Sequence, residues 1–491
     1  MRIALIWPYG NDITYSLPLG IGYLIANMKN PAHEIRVFDG TLREKDSDSP
    51  EFREFLRDFA PDIVGVSCWS KTFKEALKAL ALAKALNSAV VTVMGGVHPT
   101  AYPEKSIEPA QVDYLLCGEG EVTFPDFVER LATGQSLLDL PGLVFRALDG
   151  QLVRNKVHFE DDLDKLAWPD YDAINLQEYI EKGYRYFSRK KQNAPIWATR
   201  GCPYHCKFCS GPVVNGHKIR SHSIGYLVNW IKFLYTTYGI RHINIIDDNF
   251  TFHKEYTREF CHAMIREKLT GLSISTANGI RAQRTDFETY KLMKQAGWFM
   301  VTVAPESGSP RVLGLMRKAL DPAIWPDKIK EIRKAGLTTH AAILIGFPGE
   351  TPEDIALTAE LIRKSDFDSI GVQYFQPLPG TPIYDELVAK GEIEDELLPN
   401  CTTGARQYVT PGLKDFNFAK FAFRMYMENF LRRPLGTISE ILVFPPGLIA
   451  RRVMYLCLDA LRLVGRTASG RGKGSTLDTH FPKPGGPMNP A

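Results

Sequence analysis

The chain has 491 residues, 44% hydrophobic and 23% charged, with a formal net charge of +3. That length suits two or three domains, and the near balance of 59 Lys and Arg against 56 Asp and Glu leaves no electrostatic footprint for nucleic acid. Eight cysteines are too few for a disulfide scaffold, and no apolar run reaches the roughly 18 residues of a membrane span, so a reducing cytoplasm is the expected setting.

Residues 2–7 read as a short strand that stops at Pro8, not as a signal peptide. Further buried strands are expected at 34–39, 63–67, 90–94 and 114–117, with helical pattern between them, as at 72–86. This alternation predicts a doubly wound, Rossmann-like α/β domain over 1–140. Ligands of such sheets sit beyond the carboxyl ends of the strands. Ser67-Cys-Trp69 ends one strand, and Gly95-Gly96 ends the next after twenty-five intervening residues. Gly96-Val-His98-Pro-Thr100 follows at once, and Gly118-Glu119-Gly120-Glu121 follows the fifth strand. Glycines let a backbone approach a ligand where a side chain would collide. Taken alone, they also fit a Rossmann-like domain with no cofactor or a different one.

Residues 141–192 are less regular, and the acidic stretches near 160–166 and 169–172 predict a charged linker. Strands are expected again at 196–199, 242–246, 272–276, 300–304, 340–345 and 370–375, with helices such as 224–238 and 286–296. Six strand–helix units over 193–400 predict a (β/α)6 partial TIM-type barrel, whose reacting groups gather at the C-terminal strand ends. Residues 401–465 read as a small, mainly helical region. It holds an aromatic-rich helix at 416–431 and a segment at 448–464 that carries Arg451, Arg452 and Arg462 among apolar residues. The latter packs on its own domain or lies on a membrane surface. The Gly/Pro/Ser-rich tail at 466–491 is expected to be disordered.

The most telling run is Thr199-Arg-Gly-Cys-Pro-Tyr-His-Cys-Lys-Phe-Cys-Ser. It places three thiols, Cys202, Cys206 and Cys209, on one loop just after the first barrel strand. A closed structural metal site takes four protein ligands, and an iron–sulfur cubane normally takes four thiolates. Three thiolates leave one iron open to a small molecule. The competing reading is zinc completed by His205, His217 or His222, but no second cysteine pair exists to support it. Cys68, Cys117, Cys261, Cys401 and Cys457 occur singly and read as core residues.

Cys202-Pro-Tyr-His-Cys206-Lys-Phe-Cys209, with an aromatic before the last cysteine, resembles the signature of the radical S-adenosylmethionine (SAM) enzymes, and the likeness extends over about 190–385. The resemblance implies a [4Fe-4S] cluster on the three cysteines and SAM on its open iron, with Phe208 beside the adenine. It implies further SAM contacts at the strand ends. These are Asp247 and Asn249 in Asp247-Asp-Asn-Phe250, where the family's usual Gly-Gly-Glu is replaced, and Glu306 and Ser307 in Ala304-Pro-Glu-Ser-Gly-Ser309. Gly346 in Ile345-Gly-Phe-Pro-Gly-Glu350 is the last. As bare sequence, the second of these motifs is also a strand-end turn, and the third is also a turn before a well-capped helix. Pro379-Gly-Thr-Pro382 fits the same subgroup.

The N-terminal motifs resemble those of cobalamin-binding radical SAM proteins. That likeness implies cobalamin among Ser67, Gly95, Gly96, His98, Thr100, Gly118, Glu119 and Gly120. One departure stands out. The loop at 8–20 lacks the histidine that many cobalamin domains offer to cobalt, and His98 belongs to the glycine loop instead.

Together the resemblances imply a cobalamin-dependent radical SAM methyltransferase acting on an unactivated carbon. One SAM methylates cob(I)alamin; a second yields the 5′-deoxyadenosyl radical that activates the substrate to take the methyl group of methylcobalamin. An oxidative cyclase or rearrangement enzyme on a tetrapyrrole or hopanoid-like lipid is the alternative, because Met425-Tyr-Met-Glu-Asn-Phe-Leu-Arg-Arg-Pro434 resembles a helix ending found there. A methylthiotransferase fits less well, since only Cys68 and Cys117 lie in 1–140 where those enzymes carry three cluster cysteines. A non-enzymatic cofactor carrier would not need motifs at several strand ends. The implied partners are a small-molecule, tetrapyrrole or lipid substrate and a flavodoxin- or ferredoxin-type reductant. The expected location is cytoplasmic, with peripheral membrane contact open through 448–464.

Overall fold

Parallel strands with apolar residues on both faces must be covered on both sides, and two such sheets organise the chain. The computed structural model describes residues 1–10, 17–147, 149–185, 187–395 and 408–441. The expectations for 448–464 and 466–491, and for Cys401 and Cys457, lie outside the described residues.

The first sheet runs β2 (Glu34–Asp39), β1 (Arg2–Trp7), β3 (Ile63–Ser67), β4 (Val91–Gly95), β5 (Tyr114–Leu116), β6 (Leu143–Arg146), β7 (Leu152–Arg154). The first five strands are parallel. Their 2-1-3-4-5 order is the doubly wound arrangement with its switch point between β1 and β3. Ile3, Leu5, Ile63 and Val93 face one apolar cluster, and Ala4, Ile6, Val64, Val66 and Met94 face another. The alternation of a two-sided strand is thus hidden in continuous apolar runs.

The sheet does not end at 140. β6 and β7 add an antiparallel hairpin at its edge. The rest of the expected linker is packed rather than loose. Leu163, Leu166, Tyr171, Ile174, Leu176 and Ile180 are buried, and the Trp230 indole N–H donates to the Tyr171 hydroxyl at 3.1 Å. The charged residues between them hid an apolar spacing that mortars the two sheets into one core.

The second sheet is wholly parallel, in the order β15 (Ser369–Tyr374), β14 (Thr338–Ile345), β13 (Trp298–Glu306), β12 (Ser273–Ile280), β11 (His242–Ile245), β8 (Asn193–Ile196). Its strands follow sequence order without closing, as a six-unit partial barrel requires. β12 and β13 run longer than their apolar cores suggested, because register shifts within them carry the pairing on to Ile280 and Glu306. The helix Phe418–Arg432 covers the open side: its Tyr426 hydroxyl accepts the Val372 N–H of β15 at 2.9 Å. Among the described residues no helix is long and apolar enough to cross a membrane.

Three buried histidines are held neutral. Burial pushes His242 down to about 3 and His98 and His222 to about 4. Each takes up a proton on unfolding once the pH is below the ordinary value of about 6.5. The unfolded chain then binds more protons than the folded one, so stability present above about pH 6.5 is lost as the pH falls towards about 4. Thermal melts between about pH 7 and pH 5 should show a steadily falling midpoint. A flat profile contradicts this assignment.

Candidate functional site

The motifs gather at the C-terminal edge of the second sheet. A short antiparallel pair, β9 (Thr199–Arg200) and β10 (Arg220–Ser221), closes the base of the cysteine loop with Arg200 opposite Arg220. Asp247, two residues past β11, clamps that base. Its carboxylate accepts the N–H of Ala198 at 2.8 Å, the N–H of Thr199 at 2.7 Å and the Thr199 hydroxyl at 2.8 Å. The loop is stitched outward as well. Lys207 donates its N–H to Met316 O at 3.0 Å and accepts the Ile383 N–H at 3.2 Å.

Cys202 and Cys206 are half-buried and Cys209 is exposed. The Gly211 N–H points at the Cys209 sulfur, 3.4 Å away. Burial raises the Cys202 and Cys206 thiols; at Cys206 the nearby Lys318 and Arg281 charges pull the other way. Such thiols ionise when a metal takes the proton's place. Among the described residues no three His, Cys, Asp or Glu side chains converge on one metal ion. The histidines offered for zinc are engaged elsewhere: His205 and His217 pack on each other with centroids 4.4 Å apart, and His222 Nδ1 lies 2.9 Å from Asp164.

The residues assigned to SAM divide into two sets. Asp247 is committed to the β8–β9 backbone and so shapes the loop rather than facing it. Ser307 is buried, 3.2 Å from the Thr358 hydroxyl, and accepts the Ser309 N–H. The Gly346 N–H donates to Glu350, whose buried carboxyl is pushed up to about 7 by desolvation and keeps Oε1 without a partner. Asn249 is buried with Oδ1 unpartnered. Glu306 pairs with Lys318 at 2.6 Å, and the Lys318 ammonium lies 6.0 Å from the Phe208 ring.

The loops assigned to cobalamin end β3, β4 and β5. Ser67 pairs with Gly95 across the sheet. Gly96 has φ +96°, and a Cβ there would stand 2.9 Å from Cys68 O and 3.0 Å from Ser67 Oγ. Thr100 is a strap: it donates to Gly96 O at 2.7 Å and accepts the Gly118 N–H at 2.9 Å. His98 is buried, with Nδ1 on the Ser70 hydroxyl at 2.9 Å and Nε2 unpartnered. Gly120 opens the helix Gly120–Thr133. Glu119 is engaged by two arginines. Its carboxylate takes Arg220 at 2.7 and 2.8 Å and Arg200 at 3.2 Å.

That last contact joins the two sheets' C-terminal edges. Arg200 also holds Glu121 at 2.7 Å, and all four side chains are less than a tenth exposed. Burial alone would raise Glu119, but the two arginines more than reverse it and hold the carboxyl below its usual range. The edges meet again where Gly380, after β15, passes Ala101: a Cβ on Gly380 would stand 2.2 Å from Ala101 O. Tyr102 and Tyr384 share the Asp395 carboxylate beside it. Sequence reasoning missed Glu121, Arg200 and Arg220. Their signal was two arginines bracketing a cysteine loop and a second glutamate in Gly118-Glu-Gly-Glu121, with no local partner for either sign.

Known proteins place this arrangement. The B12 binding domain family matches residues 14–128, and the Radical SAM superfamily matches residues 198–362. The chain belongs to the cobalamin-binding radical SAM enzymes. This enzyme is 29% identical to an uncharacterised methyltransferase of Pyrococcus horikoshii, over 93% of its own chain and 98% of the relative's. It is 27% identical to the cytidylyl-2-hydroxyethylphosphonate methyltransferase of Streptomyces wedmorensis, over 77% and 79%. It is 26% identical to the anaerobic magnesium-protoporphyrin IX monomethyl ester cyclase of Rubrivivax gelatinosus, over 80% and 71%. Its fold matches the radical SAM methyltransferase TsrM of Kitasatospora setae, solved with cobalamin and a [4Fe-4S] cluster. The TM-score is 0.72 at 17% identity, covering 95% of this chain and 99% of that one.

The residues fit both groups. The cysteine loop offers three thiols that burial keeps protonated until a cation takes the proton's place, and the ends of β3 and β4 bring the Gly96 turn against Cys68 and Ser67, with a buried, unpartnered histidine nitrogen two residues further along the chain at His98. Asp247→Ala should leave buried donors of Ala198 and Thr199 unanswered, at about 1–3 kcal/mol for each group stranded. Urea melts measure that cost, and an unchanged midpoint contradicts the clamp.

Proposed function

We propose that this enzyme is a cobalamin-dependent radical SAM methyltransferase that methylates an unactivated carbon of a small molecule. The observation that carries the reading is the junction of the two edges through Arg200, Arg220, Glu119 and Glu121, with Gly380 against Ala101 on the other side. It turns the loops assigned to cobalamin towards the loops assigned to the cluster. When bound, the cluster supplies the electron that cleaves SAM, and cobalamin supplies a transferable methyl group.

The chain's own residues hold and orient. Cys202, Cys206 and Cys209 would ligate three irons and leave the fourth open. Asp247 and the β9–β10 pair keep the base of that loop rigid. Phe208, Asn249 and the Glu306–Lys318 pair line the side on which SAM would lie, while Ser67, Gly95, Gly96 and His98 would border the cobalamin. The reductant would be a flavodoxin or ferredoxin, reaching the cluster from the exposed Cys209 side.

A second reading, oxidative cyclisation or rearrangement of a tetrapyrrole or polycyclic lipid, is favoured by the cyclase relative and by the aromatic helix Phe418–Arg432 with its Arg-Pro ending. Peripheral membrane contact through 448–464 would suit such substrates. Products separate the readings. After anaerobic reconstitution with iron, sulfide and hydroxocobalamin, methyl transfer yields S-adenosylhomocysteine together with 5′-deoxyadenosine, whereas cyclisation need yield only the latter.

Replacing Cys202, Cys206 and Cys209 with Ala should abolish iron binding and SAM cleavage under dithionite, with cobalamin uptake retained. Cleavage that survives the triple replacement overturns the cluster assignment.

A further inference from the structure

The four charges between the sheets do more than fill space. Arg200 and Arg220 stand opposite each other at the two ends of the cysteine loop. Glu119 is the N-cap residue of the helix Gly120–Thr133 just past β5, and Glu121 lies in its first turn. Glu119 takes Arg220 through both oxygens at 2.7 and 2.8 Å and reaches Arg200 at 3.2 Å; Glu121 takes Arg200 at 2.7 Å. Arg220 also donates to Glu160 O at 2.7 Å and Asn215 O at 2.9 Å. The Arg200 guanidinium lies over the Tyr23 and Trp197 rings, 5.1 and 5.3 Å from their centroids. From the far side, Thr100 ties Gly118 back to Gly96. Hydrogen bonds, joined by the Gly118–Glu119 peptide link, therefore run from the Gly96 turn to the foot of the cysteine loop.

A buried ion pair adds little stability over well-packed apolar residues of the same volume. What it adds is geometry, because the planar guanidinium fork donates to a carboxylate in few orientations. We propose that Glu119, Glu121, Arg200 and Arg220 are positioning residues that lock the register between the cobalamin edge and the cluster edge. This rests on the function proposed above. The lock matters because transfer between two separately held groups depends on their separation: a misplacement of about 1 Å can cost on the order of 100-fold in rate.

The test uses the full chain, reconstituted with iron, sulfide and hydroxocobalamin and reduced with dithionite to cob(II)alamin and a paramagnetic cluster. Pulsed electron paramagnetic resonance then reads the interaction between the two spins. In Glu121→Gln and Arg220→Lys, with iron and cobalamin content matching the parent, the interaction should broaden or shift. A control, Tyr426→Phe, removes the acceptor of the Val372 N–H on β15, at the opposite edge of the second sheet from β8, and should lower the thermal midpoint while leaving the spin interaction as in the parent. Parent-like spin interaction in both lock variants, with only a lower midpoint, overturns the inference. If Glu121→Gln does not fold, Arg220→Lys, which keeps the charge and removes the fork, decides alone. A parent chain that takes up no cobalamin overturns the proposed function itself, a result distinct from an unchanged spin interaction.

Discussion

The balance of Arg200 and Arg220 against Glu119 and Glu121, all sealed from water, is the constraint on which the junction of the two sheets depends. Any one of these charges stranded alone would be intolerable in that setting. Burial on its own would lower the Arg200 pKa, and the two carboxylates more than offset that. The group is therefore acceptable only when both sheets are folded and in contact. Folding of the cysteine loop's foot and folding of the β5 loop are thereby made conditional on each other.

The same economy runs through the motifs. Side chains that look like ligand contacts in sequence often satisfy the backbone that presents the contact. Asp247 takes the donors of Ala198 and Thr199, Thr100 bridges two glycine turns, and Glu350 takes the Gly346 and Phe347 N–H groups. A turn at a strand end has backbone groups that its own strand cannot answer, and a short carboxylate or hydroxyl is the compact answer. Asn249 Oδ1 and His98 Nε2, by contrast, are buried without a hydrogen-bond partner.

Most of the architecture was legible in the sequence. Short apolar stretches, clearest at 3–7 and 341–345, marked several of the parallel strands, because a strand covered on both faces has no solvent-facing polar side. The cysteine spacing marked the loop, since ligand chemistry is local. The junction was not legible. Arg200 and Glu121 are seventy-nine positions apart, and pairing over such a span leaves no periodicity. The segment 141–192 misled for a related reason. Its surface-facing acids, such as Asp161 and Asp172, dominate its composition, while Leu163, Tyr171 and Ile174 do the packing.

That segment also bears on how the molecule can be divided. Its buried side chains belong to neither sheet more than the other, because the apolar cluster they enter contains Ile3 and Phe127 as well as Ile196 and Trp230. A cut on either side would bare a greasy face on each fragment. Such faces invite self-association. The cobalamin-binding half is thus no exchangeable module; a chimera made with another enzyme would have to import the mortar and both surfaces it joins.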